Sequence, residues 1–221
     1  MRTRAALLVA LVLGCGVIAA CGGGEGDEES EARVPEGCEQ VEAPAPKDVE
    51  LKKPSGLRPP PRAPVAVVET SCGSFEIGLE VAASPKTTAS FAHLVEEGVY
   101  DRTAFHRIVP DFVIQGGDPL GDGTGGPGYF IDEPPPVDTE YTRGTVAMAK
   151  TEAEPPGRAG SQFFVVVAAD AGLPADFALL GEVGAGFDTV ERIAQAGDPA
   201  SGQTGTPRAP VLIEEIALER G

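Results

Sequence analysis

A β-rich segment from about residue 64, followed by alternating apolar and polar residues over 75–81, predicts the first elements of a folded domain. Residues 64–70 are rich in β-branched side chains, residues 71–73 have the composition of a turn, and residues 75–81 are apolar at every second position. The pattern predicts a β-hairpin with one buried face. Further short β-like segments follow at 112–115, 145–149, 162–168, 178–183 and 211–218.

Two segments with helical spacing interrupt these strands. Ser84 and Pro85 are typical of a helix start, with Ser84 as the cap, and Gly98 ends the helix. Its apolar residues fall on one face: Phe91, Leu94 and Val95. A second amphipathic helix is predicted over 187–196. Many short strands with two helices indicate a mostly β domain over residues 64–221, an antiparallel barrel with helical caps.

The first twenty residues have the composition of a targeting signal and are excluded from the fold. Arg2 and Arg4 precede an apolar run over residues 5–20, which is shorter than the roughly 20 residues of a stable membrane span. Small residues then lead into Cys21, and this pattern resembles the bacterial lipobox. The resemblance implies a signal peptide over 1–20 and a lipid anchor on Cys21, which would hold the protein on the extracytoplasmic side of the bacterial cell membrane. An ordinary secretory signal or an uncleaved anchor is the alternative.

Residues 21–63 differ in composition from everything after them. They are rich in proline, glycine and acidic residues and contain no aromatic residue, whereas every Phe and Tyr lies between residues 75 and 187. A segment with so little apolar surface cannot offset its ordering entropy. The sequence therefore predicts a tether, stiffened near its end by the prolines at 59–61.

Two cysteines, Cys38 and Cys72, follow the predicted anchor. Because export leads to an oxidising compartment, an even pair indicates a disulfide, which would join the tether to the first hairpin. Two unpaired structural thiols are the alternative. These cysteines and the two histidines, His93 and His106, lack the spacing of metal ligands, so no metal and no other cofactor is expected.

Charge and motif context exclude several classes of function. The 221 residues include 17 Lys plus Arg against 34 Asp plus Glu, a formal net charge of −17. No nucleic-acid partner is expected, because phosphate binding needs a basic surface. Residues 121–126 match a dinucleotide-binding glycine pattern, but Pro127 and Gly128 follow where a helix must start. Ser161 lacks the sequence context of a hydrolase nucleophile.

Two longer motifs indicate a specific chemistry. Residues 105–118 read FHRIVPDFVIQGGD, and residues 160–166 read GSQFFVV. Together they resemble the cyclophilin family of peptidyl-prolyl cis-trans isomerases, and the resemblance extends from about residue 65 to the end of the sequence. It implies a closed eight-stranded antiparallel β-barrel capped by two α-helices, and an enzyme that rotates X–Pro peptide bonds.

Carried over position by position, the resemblance makes Arg107 the catalytic arginine. It implies substrate-binding roles at nine further positions: Phe112, Val113, Phe164, Leu173 and Phe177 in the proline pocket, Gln115 on the substrate backbone, Gln162 in support of Arg107, and Ala149 and Lys150 along the edge where the peptide lies. The family commonly has Met where Val113 stands and Asn where Lys150 stands.

Two departures concern the inhibitor cyclosporin. Gly172 stands where many family members carry the Trp that contacts cyclosporin, and Phe177 stands where many carry a pocket His. Cyclosporin binding is therefore expected to be weakened, while the reaction itself is expected to be kept.

The sequence as a whole predicts a monomeric, lipid-anchored prolyl isomerase. Its partners would be proline-containing polypeptides among exported proteins, whose folding it would assist. The alternative is a proline-binding chaperone or scaffold on the same fold with little turnover, and a structural lipoprotein with neither activity is a third hypothesis. The presence of Arg107 favours the enzyme.

Overall fold

The computed structural model describes residues 34–60 and 64–219. The predicted signal peptide over 1–20 and the predicted lipidation site at Cys21 lie outside the described residues and stay predictions. Within the two described ranges, no helix has the length and the apolar character needed to cross a membrane.

The described part of the domain contains eleven strands and two α-helices. The strands are β1 (Val65–Thr70), β2 (Gly73–Leu79), β3 (Thr103–Ala104), β4 (Arg107–Val109), β5 (Val113–Gly116), β6 (Ile131–Asp132), β7 (Thr145–Met148), β8 (Arg158–Ala159), β9 (Phe163–Val166), β10 (Leu179–Ala185) and β11 (Leu212–Glu219). The helices are α1 (Pro85–Glu96) and α2 (Phe187–Ala194), and a 3₁₀ helix spans Pro199–Thr204.

Nine strands form one antiparallel sheet in the order β3-β11-β1-β2-β10-β7-β9-β5-β4, and β6 pairs with β8 separately. The mostly β fold agrees with the sequence prediction, but the closed eight-stranded barrel is not confirmed. The sheet curls into a half-barrel, and across residues 64–219 no ladder joins its end strands β3 and β4. The count of eight was implied by the resemblance. The residue patterns predicted seven strands and missed β3, β4, β6 and β8, which have two or three residues each, too few for periodicity to reveal.

Alternation along the central strands creates an apolar cluster on each face of the sheet, because successive side chains point to opposite faces. The main core contains these buried residues from four neighbouring strands: Ile108, Ile114, Val146 and Val165. The opposite face carries a smaller buried cluster: Val113, Tyr141, Ala147, Phe164 and Val166. The smaller cluster is the foundation of the site described below.

The start of α1 is capped in a different way from the prediction. Ser84 occupies the cap position, but its side chain makes no capping hydrogen bond. The Glu133 carboxylate instead accepts the backbone N–H of Lys86 at 3.1 Å and that of Thr87 at 2.6 Å. A carboxylate at this end also complements the helix dipole. Local sequence could not reveal this cap, since Glu133 lies 47 residues after Lys86.

Residues 34–60, called the strap from here on, lie along the domain and are not the loose tether that their composition predicts. A disulfide joins Cys38 to Cys72 with the Cα atoms 3.9 Å apart, and the Glu39 N–H donates to the Ser71 carbonyl at 2.7 Å. Three apolar side chains of the strap pack against the main core: Val49, Leu51 and Leu57. The crosslink and these contacts offset the ordering entropy that the composition alone could not.

The first and last strands of the domain pair with each other. Val65 of β1 faces Glu219 of β11, and the antiparallel ladder continues to Thr70 and Ile213. Through this pairing β11 lies between β1 and β3 in the sheet.

Candidate active site

A row of predicted site residues crosses neighbouring strands of the sheet. Arg107 on β4 faces Gln115 on β5, Gln115 faces Phe164 on β9, and Phe164 faces Ala147 on β7. Facing residues in an antiparallel sheet project from the same side. The strand register therefore places the Arg107 guanidinium beside the smaller apolar cluster.

A cavity of about 340 Å³ opens next to this row. The cavity is lined by every predicted catalytic and substrate-binding residue except Gln162: Arg107, Phe112, Val113, Gln115, Ala149, Lys150, Phe164, Leu173 and Phe177. Thr151 and Glu152 also line it and were not predicted. Gln162 lines an adjacent cavity of about 370 Å³, which shares Gln115, Ala149 and Lys150 with the first. The structure thus brings all ten predicted residues into one groove.

Three aromatic rings define the apolar end of the groove. Phe164 and Phe177 meet edge to face at 5.4 Å between centroids, and Tyr141 meets Phe177 in the same way at 5.9 Å. The Tyr141 hydroxyl donates to the Phe177 carbonyl at 2.6 Å and accepts the Phe177 N–H at 3.0 Å. Tyr141 therefore holds Phe177 in place, a role that sequence reasoning missed because 36 residues separate the two.

The Arg107 guanidinium lies at the polar end of the groove. Its Nε donates to the Gln203 carbonyl at 3.2 Å, its Nη1 donates to Gln115 Oε1 at 3.3 Å, and its Cζ lies 5.9 Å from the Phe112 ring centroid. No carboxylate of residues 34–60 or 64–219 forms an ion pair with it. Burial lowers the pKa of Arg107, yet a guanidinium stays charged at neutral pH. The groove therefore holds a fixed, partly desolvated cation with donors left over for a ligand.

Two glutamines connect this arginine to the loop after β5. Gln115 Nε2 donates to Gln162 Oε1 at 3.0 Å. Gln162 Nε2 then donates to the carbonyl oxygens of Gly123 at 3.0 Å and Gly125 at 2.9 Å. Gln162 thus supports Arg107 through Gln115 and not by direct contact, and the loop carbonyls complete the network.

Lys150 forms part of the groove wall, and a neighbouring carboxylate compensates its charge. Its side chain is only 3% exposed, and Nζ lies 2.5 Å from Asp176 Oδ2. The ammonium also donates to the Glu154 carbonyl at 3.2 Å and lies 5.4 Å from the Phe177 ring centroid. Because Asp176 compensates the charge, Lys150 stabilises the wall rather than presenting a free cation to a ligand.

The position of Ser161 and the arrangement of metal-ligating residue types bear on two other kinds of site. The Ser161 hydroxyl is buried and donates to the Gly117 carbonyl at 2.7 Å, which is a structural contact. No group of three or more His, Cys, Asp or Glu residues in 34–60 and 64–219 is arranged to hold a metal ion.

His106 lies next to Arg107 in an environment that disfavours its charged form. Both ring nitrogens are buried, and in the described part of the chain neither has a hydrogen-bond partner of good geometry. Burial lowers the pKa of His106, and Arg107 lowers it further. The opposing effects of Asp118, the Ala104 backbone and Asp122 do not offset this lowering.

We expect acidification to destabilise the protein through His106. The pKa of His106 in the folded protein lies below its ordinary value of 6.5, so the unfolded chain takes up the proton first as the pH falls. Stability present above about pH 6.5 is therefore lost below it, with a slope of at most about 1.4 kcal/mol per pH unit. Urea unfolding between about pH 7.5 and 5 measures this slope. His106→Gln should flatten it and His93→Gln should not; equal slopes in wild type and His106→Gln would contradict the assignment.

Comparison with known proteins places this groove in context. The model of the family described as cyclophilin type peptidyl-prolyl cis-trans isomerase/CLD matches residues 65–218. The chain is 39% identical over 173 residues to peptidyl-prolyl cis-trans isomerase B of Streptomyces anulatus, covering 70% of this chain and 95% of that protein. It is 38% identical over 170 residues to the probable peptidyl-prolyl cis-trans isomerase B of Mycobacterium leprae, covering 70% of this chain but only 56% of that protein.

Solved structures agree with these relatives. The crystal structure of a cyclophilin type peptidyl-prolyl cis-trans isomerase from Cryptosporidium parvum matches with a TM-score of 0.64 at 30% identity, covering 72% of this chain and 98% of that one. A second structure of that isomerase, in the presence of the dipeptide Ala-Pro, matches with a TM-score of 0.63 at 29% identity, covering 71% of this chain and 99% of that one.

Proposed function

Because the chain belongs to the cyclophilin-type peptidyl-prolyl cis-trans isomerase family, we propose that it rotates X–Pro peptide bonds in polypeptides exported from the cytoplasm and so assists their folding. Its enzyme class is that of a peptidyl-prolyl cis-trans isomerase. One observation carries the proposal most strongly: the Arg107 guanidinium stands, without an ion-pair partner among the described residues, at the edge of an apolar pocket.

The reaction requires no nucleophile and no proton transfer. An X–Pro bond keeps partial double-bond character with a rotation barrier of about 18–20 kcal/mol, and it isomerises in roughly tens to hundreds of seconds. Twisting the bond localises a lone pair on the prolyl nitrogen. A donor aimed at that nitrogen binds the twisted state better than the planar state, which is the condition for catalysis.

Different residues of the groove bind the proline ring and stabilise the twisted bond. The pocket built on Phe112, Phe164 and Phe177 holds the proline ring by apolar contact. Arg107 donates to the prolyl nitrogen as the bond twists, and Gln115 fixes the guanidinium from one side while binding the substrate backbone. Partial desolvation strengthens the hydrogen bond of the guanidinium, because less water competes for it.

The disulfide supports a location outside the cytoplasm. Disulfides such as Cys38–Cys72 form and persist in oxidising compartments. The apolar run over residues 5–20 and the lipobox-like sequence before Cys21 point in the same direction. We therefore propose that Cys21 carries a lipid that anchors the enzyme to the cell membrane, on the side where exported polypeptides fold.

Two measurements test this proposal. NMR exchange spectroscopy on an Ala-Pro peptide, without a coupling protease, should show cis–trans exchange accelerated by catalytic amounts of the protein. Binding of the peptide without acceleration would instead support a chaperone or scaffold. Mass spectrometry of the membrane fraction should find an N-terminal peptide that begins with acylated Cys21; an unmodified Cys21 in a longer chain would reject the anchor and leave the isomerase assignment intact.

We expect cyclosporin to bind weakly, and Gly172→Trp to improve the binding by about fivefold, because a buried indole contact commonly contributes over about 1 kcal/mol at an interface. Gly172 is exposed and its φ is +61°, and among residues 34–60 and 64–219 no atom lies within 4 Å of the position a Cβ would occupy. Space for an indole therefore exists, at the cost of a left-handed backbone. Calorimetric titration measures the affinity, and Gly172→Ala carries the same backbone strain without the indole. Equal affinities of the Ala and Trp variants would show that residue 172 does not contact the drug.

A further inference from the structure

The strap contacts the loop after β5 as well as the main core. We infer that its backbone positions Arg107 for catalysis, by clamping the loop over residues 118–128 whose carbonyls hold Gln162. The inference rests on the proposed function of Arg107 and adds to it a device that the catalytic motifs themselves do not contain. It makes Lys47 and Leu51 positioning residues, which act through the loop and touch no substrate.

The strap is fixed to the domain on both sides of these two residues. Before them, Cys38 is bonded to Cys72. At Lys47, the side-chain Nζ donates to the carbonyls of Val99 at 2.9 Å and Asp101 at 2.6 Å. After them, Leu57 packs against the main core. The backbone between Cys38 and Leu57 is therefore a fixed surface against which another segment can be held.

Two hydrogen bonds join this surface to the loop. The Lys47 N–H donates to the Pro119 carbonyl at 2.8 Å, and the Leu51 N–H donates to the Pro127 carbonyl at 2.8 Å. Gly128 permits the close approach: its φ is +88°, and a Cβ there would lie 3.0 Å from both Glu50 Cα and Leu51 N. These two hydrogen bonds hold the loop against the strap near both ends of the loop.

The two halves of the loop are held differently. In the first half, the buried Asp118 carboxylate accepts the N–H of Leu120 at 2.8 Å and that of Gly123 at 2.6 Å. In the second half, over residues 125–127, the hydrogen bonds made within the described chain are those to Gln162 and Leu51. The Gly125 backbone also packs against Asp118 and Leu120, and the Leu51 hydrogen bond adds to this packing by holding the end of the loop.

The polarity of the glutamine network makes these carbonyls necessary. A guanidinium only donates, so Arg107 must meet the oxygen of the Gln115 amide, which turns the Gln115 nitrogen towards Gln162. Gln162 must then present its own oxygen to Gln115 and its nitrogen to the loop, where the two carbonyls accept it. If the Gly125 carbonyl moves away, the Gln162 amide has a weaker preference for this orientation. The orientations of Gln115 and Arg107 then become less well defined, because each depends on the amide before it. The amide flip is the two-state element that couples the strap to the reaction.

Proline substitution tests the clamp, because proline has no N–H. Leu51→Pro removes both the leucine packing and the N–H to Pro127, whereas Leu51→Ala removes only the packing. The difference between the two variants reports the loss of this hydrogen bond together with the fixed φ of proline and its restriction of residue 50. We expect kcat to be about fivefold lower in Leu51→Pro than in Leu51→Ala, with KM within about twofold. Lys52→Pro, at an exposed neighbouring position whose N–H makes no hydrogen bond within the described chain, should keep the wild-type kcat.

A double-mutant cycle shows whether the effect passes through Gln162. In a Gln162→Ala background, the further change of Leu51 to proline should have no effect on kcat beyond that of alanine at the same position. Equal kcat values for Leu51→Pro and Leu51→Ala, or effects that multiply undiminished in the Gln162→Ala background, would overturn the inference. If Leu51→Pro is unfolded by circular dichroism, Lys47→Pro against Lys47→Ala repeats the comparison at the other end of the loop.

An NMR measurement separates this inference from the proposed function. The side-chain signals of Arg107 Nε–H and Gln162 Nε2–H should shift or broaden in Leu51→Pro relative to Leu51→Ala, whether or not the protein turns over a peptide. Unchanged signals would overturn the clamp even in an active enzyme. If the wild type does not turn over the peptide, but the signals differ between Leu51→Pro and Leu51→Ala as expected, the proposed function is rejected and the clamp stands.

Discussion

Replacing Arg107 by alanine is expected to lower kcat/KM for an Ala-Pro peptide by at least about tenfold, because one charge-assisted hydrogen bond contributes about 1.5–3 kcal/mol. The guanidinium is half-buried, held by Gln203 and Gln115 and without a carboxylate partner in the described part of the chain. Its loss should therefore affect the transition state far more than the fold. NMR exchange spectroscopy gives the rate, and urea unfolding gives the free energy of unfolding, which should change by less than about 1 kcal/mol.

Two matched variants sharpen this test. Arg107→Lys keeps the charge but not the planar fork of donors, so its activity should lie between those of wild type and Arg107→Ala. Arg102→Ala removes an exposed arginine that pairs with Glu214 at 3.0 Å, away from the groove lining, and should leave turnover unchanged. A purified, folded Arg107→Ala protein with full activity would contradict the proposed mechanism.

Removing the disulfide is expected to destabilise the protein by about 3–4 kcal/mol, the chain-entropy value for a crosslink between residues 34 apart. In this model the crosslink acts by removing conformational entropy from the unfolded chain. Because the strap packs against the core, it is ordered in the folded protein, and the measured loss of stability should be close to the full value. Urea unfolding of the oxidised wild type and of Cys38→Ala/Cys72→Ala measures the difference in the free energy of unfolding. The double substitution avoids a free thiol, and alanine suits the buried site of Cys72.

A control separates the crosslink from the loss of the two sulfur atoms. Wild type in excess reductant keeps both side chains and loses only the bond, so its stability should fall nearly as far as that of the double variant. A loss below about 1 kcal/mol in both samples would show that the strap is held by its other contacts alone.

Much of the groove could be predicted because its residues lie in two continuous motifs. Arg107, Phe112 and Gln115 come from one motif and Phe164 from the other, and the register of β4, β5 and β9 then places Arg107, Gln115 and Phe164 in one row. The roles of these residues came from the family resemblance that the two motifs carry. Period-two alternation also identified β2, which buries one face, and β-rich composition indicated β1, β10 and β11.

Contacts between distant segments were missed for a physical reason. Tyr141 holds Phe177 across 36 residues, and Gln203 accepts from Arg107 across 96. Neither contact leaves a trace in the sequence pattern. Composition predicted a tether because it reports apolar content, whereas the predicted disulfide, three backbone N–H groups and the Lys47 ammonium supply much of the attachment of residues 34–60.

The pairing of β1 with β11 makes completion of the sheet depend on the strand that is synthesised last. Until residues 212–219 have been synthesised, the strands on either side of β11 have no partner at this position, and the long sequence separation makes the closing contact slow to form. The sheet therefore stays incomplete until this segment has been made. A product that ends before Leu212 would keep two bare strand edges, β1 and β3, on which other chains can assemble.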